Sequence, residues 1–101
     1  TLVLIMSEFG RTPKINQRYG RDHWGTAWSM ALGGCGIKPG AVVGMTNEEG
    51  TAVAEREVDG RHLFHTYFRA LGLDTTDHHD IPGRAIPIGD PTGEAIGELL
   101  A

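Results

Sequence analysis

The sequence predicts an α/β chain built on a mainly parallel sheet. Three observations carry that prediction. Residues 2–6 form an unbroken aliphatic run, residues 60–72 carry one apolar stripe at helical spacing, and the segments between them are rich in glycine. A short run that is apolar on both faces belongs to a strand covered on both sides, which is the habit of parallel sheets.

The elements follow in order. The run Leu2–Met6 stops at Ser7-Glu8-Phe9-Gly10, too early for a helix. Residues 8–26 show neither a period of 2 nor of 3.6, and they contain Gly10, Pro13, Asn16, Gly20 and Gly25. They read as a long loop, and a loop of that size inside a small domain is usually functional. Residues 27–32 and 41–45 read as further short strands, with turns at Lys38-Pro39-Gly40 and Asn47–Gly50. In the helix at 60–72, Leu63, Phe64, Tyr67, Phe68 and Leu71 share a face, Asp59 caps the start and Gly72 fits just past the end. Asp74–Asp80 reads as polar linker, 85–88 as an extended run, and 96–100 as a last helical turn.

Composition narrows the functional classes. The chain has 101 residues with a formal net charge of −4. Residues 1–40 hold five basic and two acidic side chains, whereas the remainder holds four basic and eleven acidic. The basic excess sits in one early loop. It is too small for a nucleic-acid footprint and suited to gripping one small anion. No apolar run approaches a membrane span. A single cysteine, Cys35, excludes an internal disulfide. The chain opens directly inside an apolar strand and reads as the C-terminal piece, residues 1–101, of one larger domain whose N-terminal part is missing. On its own it is expected to be catalytically inactive and poorly stable as a monomer.

The chemistry concentrates in Ser7-Glu8-Phe9-Gly10-Arg11-Thr12-Pro13 and Gly20-Arg21-Asp22-His23-Trp24. Glu8 lies just past the end of a buried strand, where ligand sites of α/β sheets gather. Glu8 and His23 are the candidate metal ligands, and Arg11 and Arg21 the candidate anion-binding residues. Asp22, Thr12 and Asn16 stand around them as outer partners. Hard oxygen and imidazole donors suit a divalent cation such as zinc, calcium or manganese, beside which guanidinium forks hold an anionic ester. The plainer alternative is a loop salt bridge between Glu8 and Arg11 and a packing role for His23. His62 and His65, at i and i+3, read as surface or rim residues. Asp77-His78-His79-Asp80 reads as a solvated loop, and Cys35 as a small packing residue among glycines.

The stretches SEFGRTP, GRDHWG, ALGGCGIKPGAVVG, LFHTYFRALGLD and GRAIPIGDPTGEAIGELLA together resemble the tail of DUF1501 proteins. These are assigned to the alkaline-phosphatase/sulfatase-like superfamily and are typically exported. The resemblance implies the C-terminal part of a three-layer α/β/α fold and a metal-dependent hydrolase of phosphate or sulfate esters, placed in the periplasm or cell envelope. In metal-dependent relatives an Asp-His pair follows the strand matching Thr1–Met6, and a later His adds a ligand. Here Glu8 stands at the acidic place, His23 is similar to the later His, and Phe9 replaces the histidine of the pair. The nucleophile and remaining ligands would lie upstream. The alternative is a non-catalytic anion-binding or structural protein that retains the fold.

Overall fold

A computed structural model describes all residues, Thr1–Ala101. Its elements are β1 (Val3–Ile5), β2 (Gly10–Arg11), β3 (His23–Trp24), β4 (Ala31–Gly33), β5 (Met45–Thr46), β6 (Val53–Glu55), α1 (Gly60–Ala70), β7 (His78–Ile81), β8 (Arg84–Pro87) and a closing 3-10 turn, Gly97–Leu99. The strands form four separate two-stranded sheets, β1 with β4, β2 with β3, β5 with β6 and β7 with β8. The last three pairs are antiparallel.

This overturns the expected mainly parallel sheet and, with it, the three-layer α/β/α architecture. The strands are two to four residues long, and none is joined to a parallel neighbour through a crossover helix. The apolar run at 2–6 does make a strand, but its covering is absent from this chain: Val3 is 54% exposed and Ile5 70%. A two-sided apolar run signals a covered strand only when enough chain is present to cover it.

The chain divides into two compact units. The first comprises Thr1–Val3, Gly33–Val42 and Val58–Ala101. Its core is Ile37, Leu63, Ala70 and Ile96, with His65, Thr66 and Thr75 buried among them. Asp59 caps α1 by accepting from the Arg61 amide, and the His62 ring reaches back to the Asp59 amide in a capping box. Gly72, at φ +85°, follows the helix, as the left-handed position past a helix end requires. The buried face is only half the predicted stripe. Leu63 is buried, but Phe64 and Leu71 are exposed, and Thr66 and Ala70 take the inner positions. Thr66 Oγ1 donates to the His62 carbonyl (2.7 Å) and accepts from the Ile96 amide (2.9 Å). The chain end is tied down by the Ile37–Leu100 bridge, Lys38 N to Leu99 O (2.7 Å) and Ala101 N to Gly36 O (2.8 Å).

Residues 74–80 are not a linker. His78–Ile81 pairs with Arg84–Pro87 across the Pro82-Gly83 turn, and this hairpin is held at its base by Ile88 N to Asp77 O and Gly89 N to Thr75 O.

The second unit comprises Leu4–Leu32 and Val43–Glu57. Ala27 is its buried apolar residue. A side chain at Gly10 would collide with the Ala27 carbonyl and the Trp28 side chain, so the β2 backbone approaches 27–28 as only glycine allows. Trp24 Nε1 donates to Thr51 O (2.7 Å) and Trp28 Nε1 to Ser7 O (3.0 Å), so both indoles serve as clamps between loops. Among the strands expected at 27–32 and 41–45, only the ends are formed, as β4 and the start of β5.

Two outcomes follow from these contacts. Thr66→Val keeps the side-chain volume but removes both hydrogen bonds and leaves the Ile96 amide buried without a partner. It is expected to lower the stability of the protein by about 1–3 kcal/mol, read from urea unfolding. Asp59 accepts hydrogen bonds from the Arg61 guanidinium and amide and lies against its positive charge, which together hold the carboxyl far below the usual carboxylate range. Its contribution is therefore complete above the ordinary carboxylate pKa and is lost as pH falls through the lower folded value. Thermal midpoints across pH should show wild type above Asp59→Asn near neutrality. The gap should narrow below about pH 4 and shrink with salt, because the pair is exposed.

Candidate functional site

The segment 10–24 begins and ends on one short ladder. Gly10 pairs with Trp24 and Arg11 with His23. That register sets an arginine and a histidine opposite each other at the mouth of the loop. Phe9, the residue before β2, stacks on the His23 ring with centroids 4.0 Å apart and planes at 26°. The Arg11 guanidinium lies 5.7 Å from the Phe9 centroid. One aromatic ring thus supports both an imidazole and a guanidinium. Stacking covers a face of the imidazole and leaves its nitrogens, which lie in the ring plane, open to a ligand.

Beyond this ladder the loop is closed by its own polar groups. Thr12 N donates to Asp22 O (3.0 Å) and Asp22 N to Thr12 Oγ1 (3.1 Å). Arg11 Nη1 donates to Arg21 O (3.0 Å). Arg21 Nη1 donates to Thr12 O (2.9 Å) and to Pro13 O. Asn16 Oδ1 accepts from the Arg18 and Gly20 amides (2.9 and 3.1 Å), while Asn16 Nδ2 donates to Asp22 Oδ1 (3.0 Å). Asparagine is suited to this because one short side chain both accepts from two turn amides and donates across the loop. The turn it makes holds Tyr19 at φ +61° and leaves the residue 93% exposed.

The sequence candidates therefore separate. Arg11 and His23 stand together on the ladder. Arg21, Thr12, Asn16 and Asp22 meet one another, but as the loop's own fastening; Arg21 spends one guanidinium nitrogen on two carbonyls. Glu8 is exposed in the bend before β2. No group of three or more His, Cys, Asp or Glu side chains lies close enough to hold a metal ion.

The sequence places Arg18 with Arg11 and Arg21 among the guanidinium groups of one pocket without choosing it for the anion, and it gives Lys14 no part. Lys14 and Arg18, with Thr12, Ile15, Asn16, Gln17 and Asp22, line a cleft of about 560 Å³ on the loop. The available signal was their position in the only basic stretch of the chain.

Residues elsewhere also depart from their expected roles. His62 belongs to the helix cap. His65 is buried, not a rim residue. Its Nε2 lies 2.8 Å from the Asp90 carbonyl, which can only accept, so Nε2 donates there, and Nδ1 pairs with Thr75 Oγ1. His65 thereby fastens residues 75 and 90 to α1. His78 bridges Asp77 and Asp80 at 3.3 and 3.0 Å on the exposed hairpin. Cys35 is exposed at φ +47°, so it is not a packing residue.

Residues 1–100 match a family described as a protein of unknown function, DUF1501. The chain belongs to that family. No curated protein and no solved structure matches it. For this DUF1501 chain the match covers both the ladder-closed loop and the C-terminal unit.

Asn16→Ala removes three hydrogen bonds that close the loop. The expected outcome is faster tryptic cleavage after Arg18 and Arg21, with α1 content unchanged by circular dichroism. Cleavage at the wild-type rate would show that the backbone and arginine contacts hold the loop without Asn16.

Proposed function

We propose that segment 7–24 forms the oxyanion-facing wall of a metal-dependent hydrolase of phosphate or sulfate esters, in a longer protein that supplies the nucleophile and further ligands. The observation that carries this reading is the Arg11–Phe9–His23 arrangement. A guanidinium and an imidazole stand on paired strands around one aromatic ring, in the form suited to meeting an anionic ester. Arg11 commits one nitrogen to the Arg21 carbonyl and keeps other N–H donors for the ester oxygens. His23, with its ring plane fixed by Phe9, can hold or move a proton at an ester oxygen. The likeness of SEFGRTP and GRDHW to DUF1501 proteins, which are assigned to the alkaline-phosphatase/sulfatase-like superfamily, supports the same chemistry and also suggests export to the periplasm or cell envelope.

Glu8 and His23 have the donor chemistry for zinc, calcium or manganese. They are two donors, and a catalytic ion normally takes about three protein ligands. This chain alone does not make up a metal site, and its residues are assigned no step through one.

Phe9 favours a second reading. It occupies the place where metal-dependent relatives carry a histidine, and its ring is engaged in stacking. A non-catalytic anion-binding or structural protein would need the arginines and the stack but not the missing ligand.

The full-length protein separates these readings. Its metal content by mass spectrometry and its turnover of 4-nitrophenyl phosphate and 4-nitrophenyl sulfate, with zinc, calcium or manganese added, are the measurements. The hydrolase reading expects bound metal and turnover that falls about 10²-fold in kcat for Arg11→Ala or His23→Ala. Absence of metal and turnover, with phosphate binding retained, would favour the binding protein.

A further inference from the structure

We infer that the cleft of Lys14 and Arg18 is a binding site for a hydroxylated phosphate or sulfate ester of about monosaccharide size. The inference rests on the proposed function for its anion chemistry and goes beyond it, because the cleft is lined by neither Arg11 nor His23 and is a separate place for an ester to bind.

The four cations of the loop are not equivalent. Arg21 is turned onto the Thr12 and Pro13 carbonyls and Arg11 onto the Arg21 carbonyl. Lys14 and Arg18 instead line one cleft. They are exposed and lie four residues apart on a backbone fixed by Asn16, so an arriving anion has to order the two side chains but not the loop that carries them.

The rest of the lining argues against a bare anion. Asp22 places a carboxylate on the cleft wall, and Asn16 Nδ2 holds that carboxylate in position. A carboxylate repels phosphate or sulfate but accepts strongly from hydroxyl groups. Gln17 adds an amide that both donates and accepts, Thr12 a hydroxyl, and Ile15 an apolar surface. The cleft is open to solvent, and its volume of about 560 Å³ leaves room for a ligand larger than a tetrahedral ion. The ligand that meets all these groups carries its anion to Lys14 and Arg18, its hydroxyls to Asp22 and Gln17, and a carbon ring to Ile15.

The test is calorimetric titration of the full-length protein with glucose 6-phosphate and glucose 6-sulfate, against inorganic phosphate and sulfate. The expected result is that the sugar esters bind more tightly than the bare ions. Lys14→Gln and Arg18→Gln should each weaken them by about tenfold or more, while Lys38→Gln, outside the cleft, should leave them unchanged. Asp22→Asn should weaken the sugar esters and strengthen the bare ions. The two glucose esters together distinguish a phosphate from a sulfate preference. Sugar esters that fail to bind, bind no better than the bare ions, or bind equally to the Lys14 and Arg18 variants would overturn the inference. Turnover of 4-nitrophenyl esters alongside flat sugar-ester titrations would sink the cleft and spare the hydrolase reading. Cleft binding without turnover would do the reverse.

Discussion

A single hydroxyl, Thr66 Oγ1, carries much of the C-terminal unit. It donates into α1 at the His62 carbonyl and accepts the amide of Ile96, whose side chain is almost wholly buried. The turn that follows Ile96 then delivers Leu99 and Leu100 to the strand-like stretch at 37–38. With so few apolar residues inside, hydrophobic burial alone cannot fix where the C-terminal segment lies. A buried hydrogen bond with one partner on the helix and one on the segment selects a register, because every alternative leaves a donor unpaired in a dry site.

The same economy runs through the molecule. Five apolar residues are buried: Ala27, Ile37, Leu63, Ala70 and Ile96. What would be core in a larger domain is replaced by side-chain bonds to backbone. Trp24 reaches Thr51 O, His65 reaches Asp90 O, and Asn16 and Asn47 each gather the amides of a turn. These bonds define geometry well, but each contributes little net free energy in water. Exposed apolar groups such as Ile5, Val42 and Leu73 stay uncompensated.

Local signals were legible in the sequence and long-range ones were not. The helix, its Asp59 cap and its Gly72 terminator were readable because each depends on residues within four positions. The strand at 3–5 was readable for the same reason. The parallel sheet was an extrapolation from that strand to a row of neighbours, whereas it pairs with β4 alone in a two-stranded sheet. The hairpin at 78–87 was hidden because His78, His79 and Asp80 have polar side chains and all four β7 residues are exposed, so no alternation of burial marks the strand. His65 was misplaced because its burial is decided by Thr75 and Asp90, ten and twenty-five residues away. In the loop, the residue types were informative and their roles were not. A sequence shows four cations; only coordinates show which of them hold the loop shut.

That division of labour has a physical basis. A guanidinium offers planar, divergent N–H donors, so Arg21 can satisfy the Thr12 and Pro13 carbonyls from a single nitrogen. An ammonium also has donors enough for two carbonyls, but it is more strongly hydrated and gives up more to leave water. The Thr12 and Pro13 carbonyl oxygens converge on Arg21 Nη1, and the positive charge there offsets their mutual repulsion. The cost is that Arg21 is partly neutralised as a ligand for anything external. Lys14 and Arg18 sit on the part of the loop that Asn16 organises through amides alone. The backbone there is held by a neutral side chain, so its cations need not be spent on closure. A loop that must be both rigid and attractive to an anion has to separate these two tasks between different residues, and the hydrogen bonds of residues 11–22 show where that separation falls.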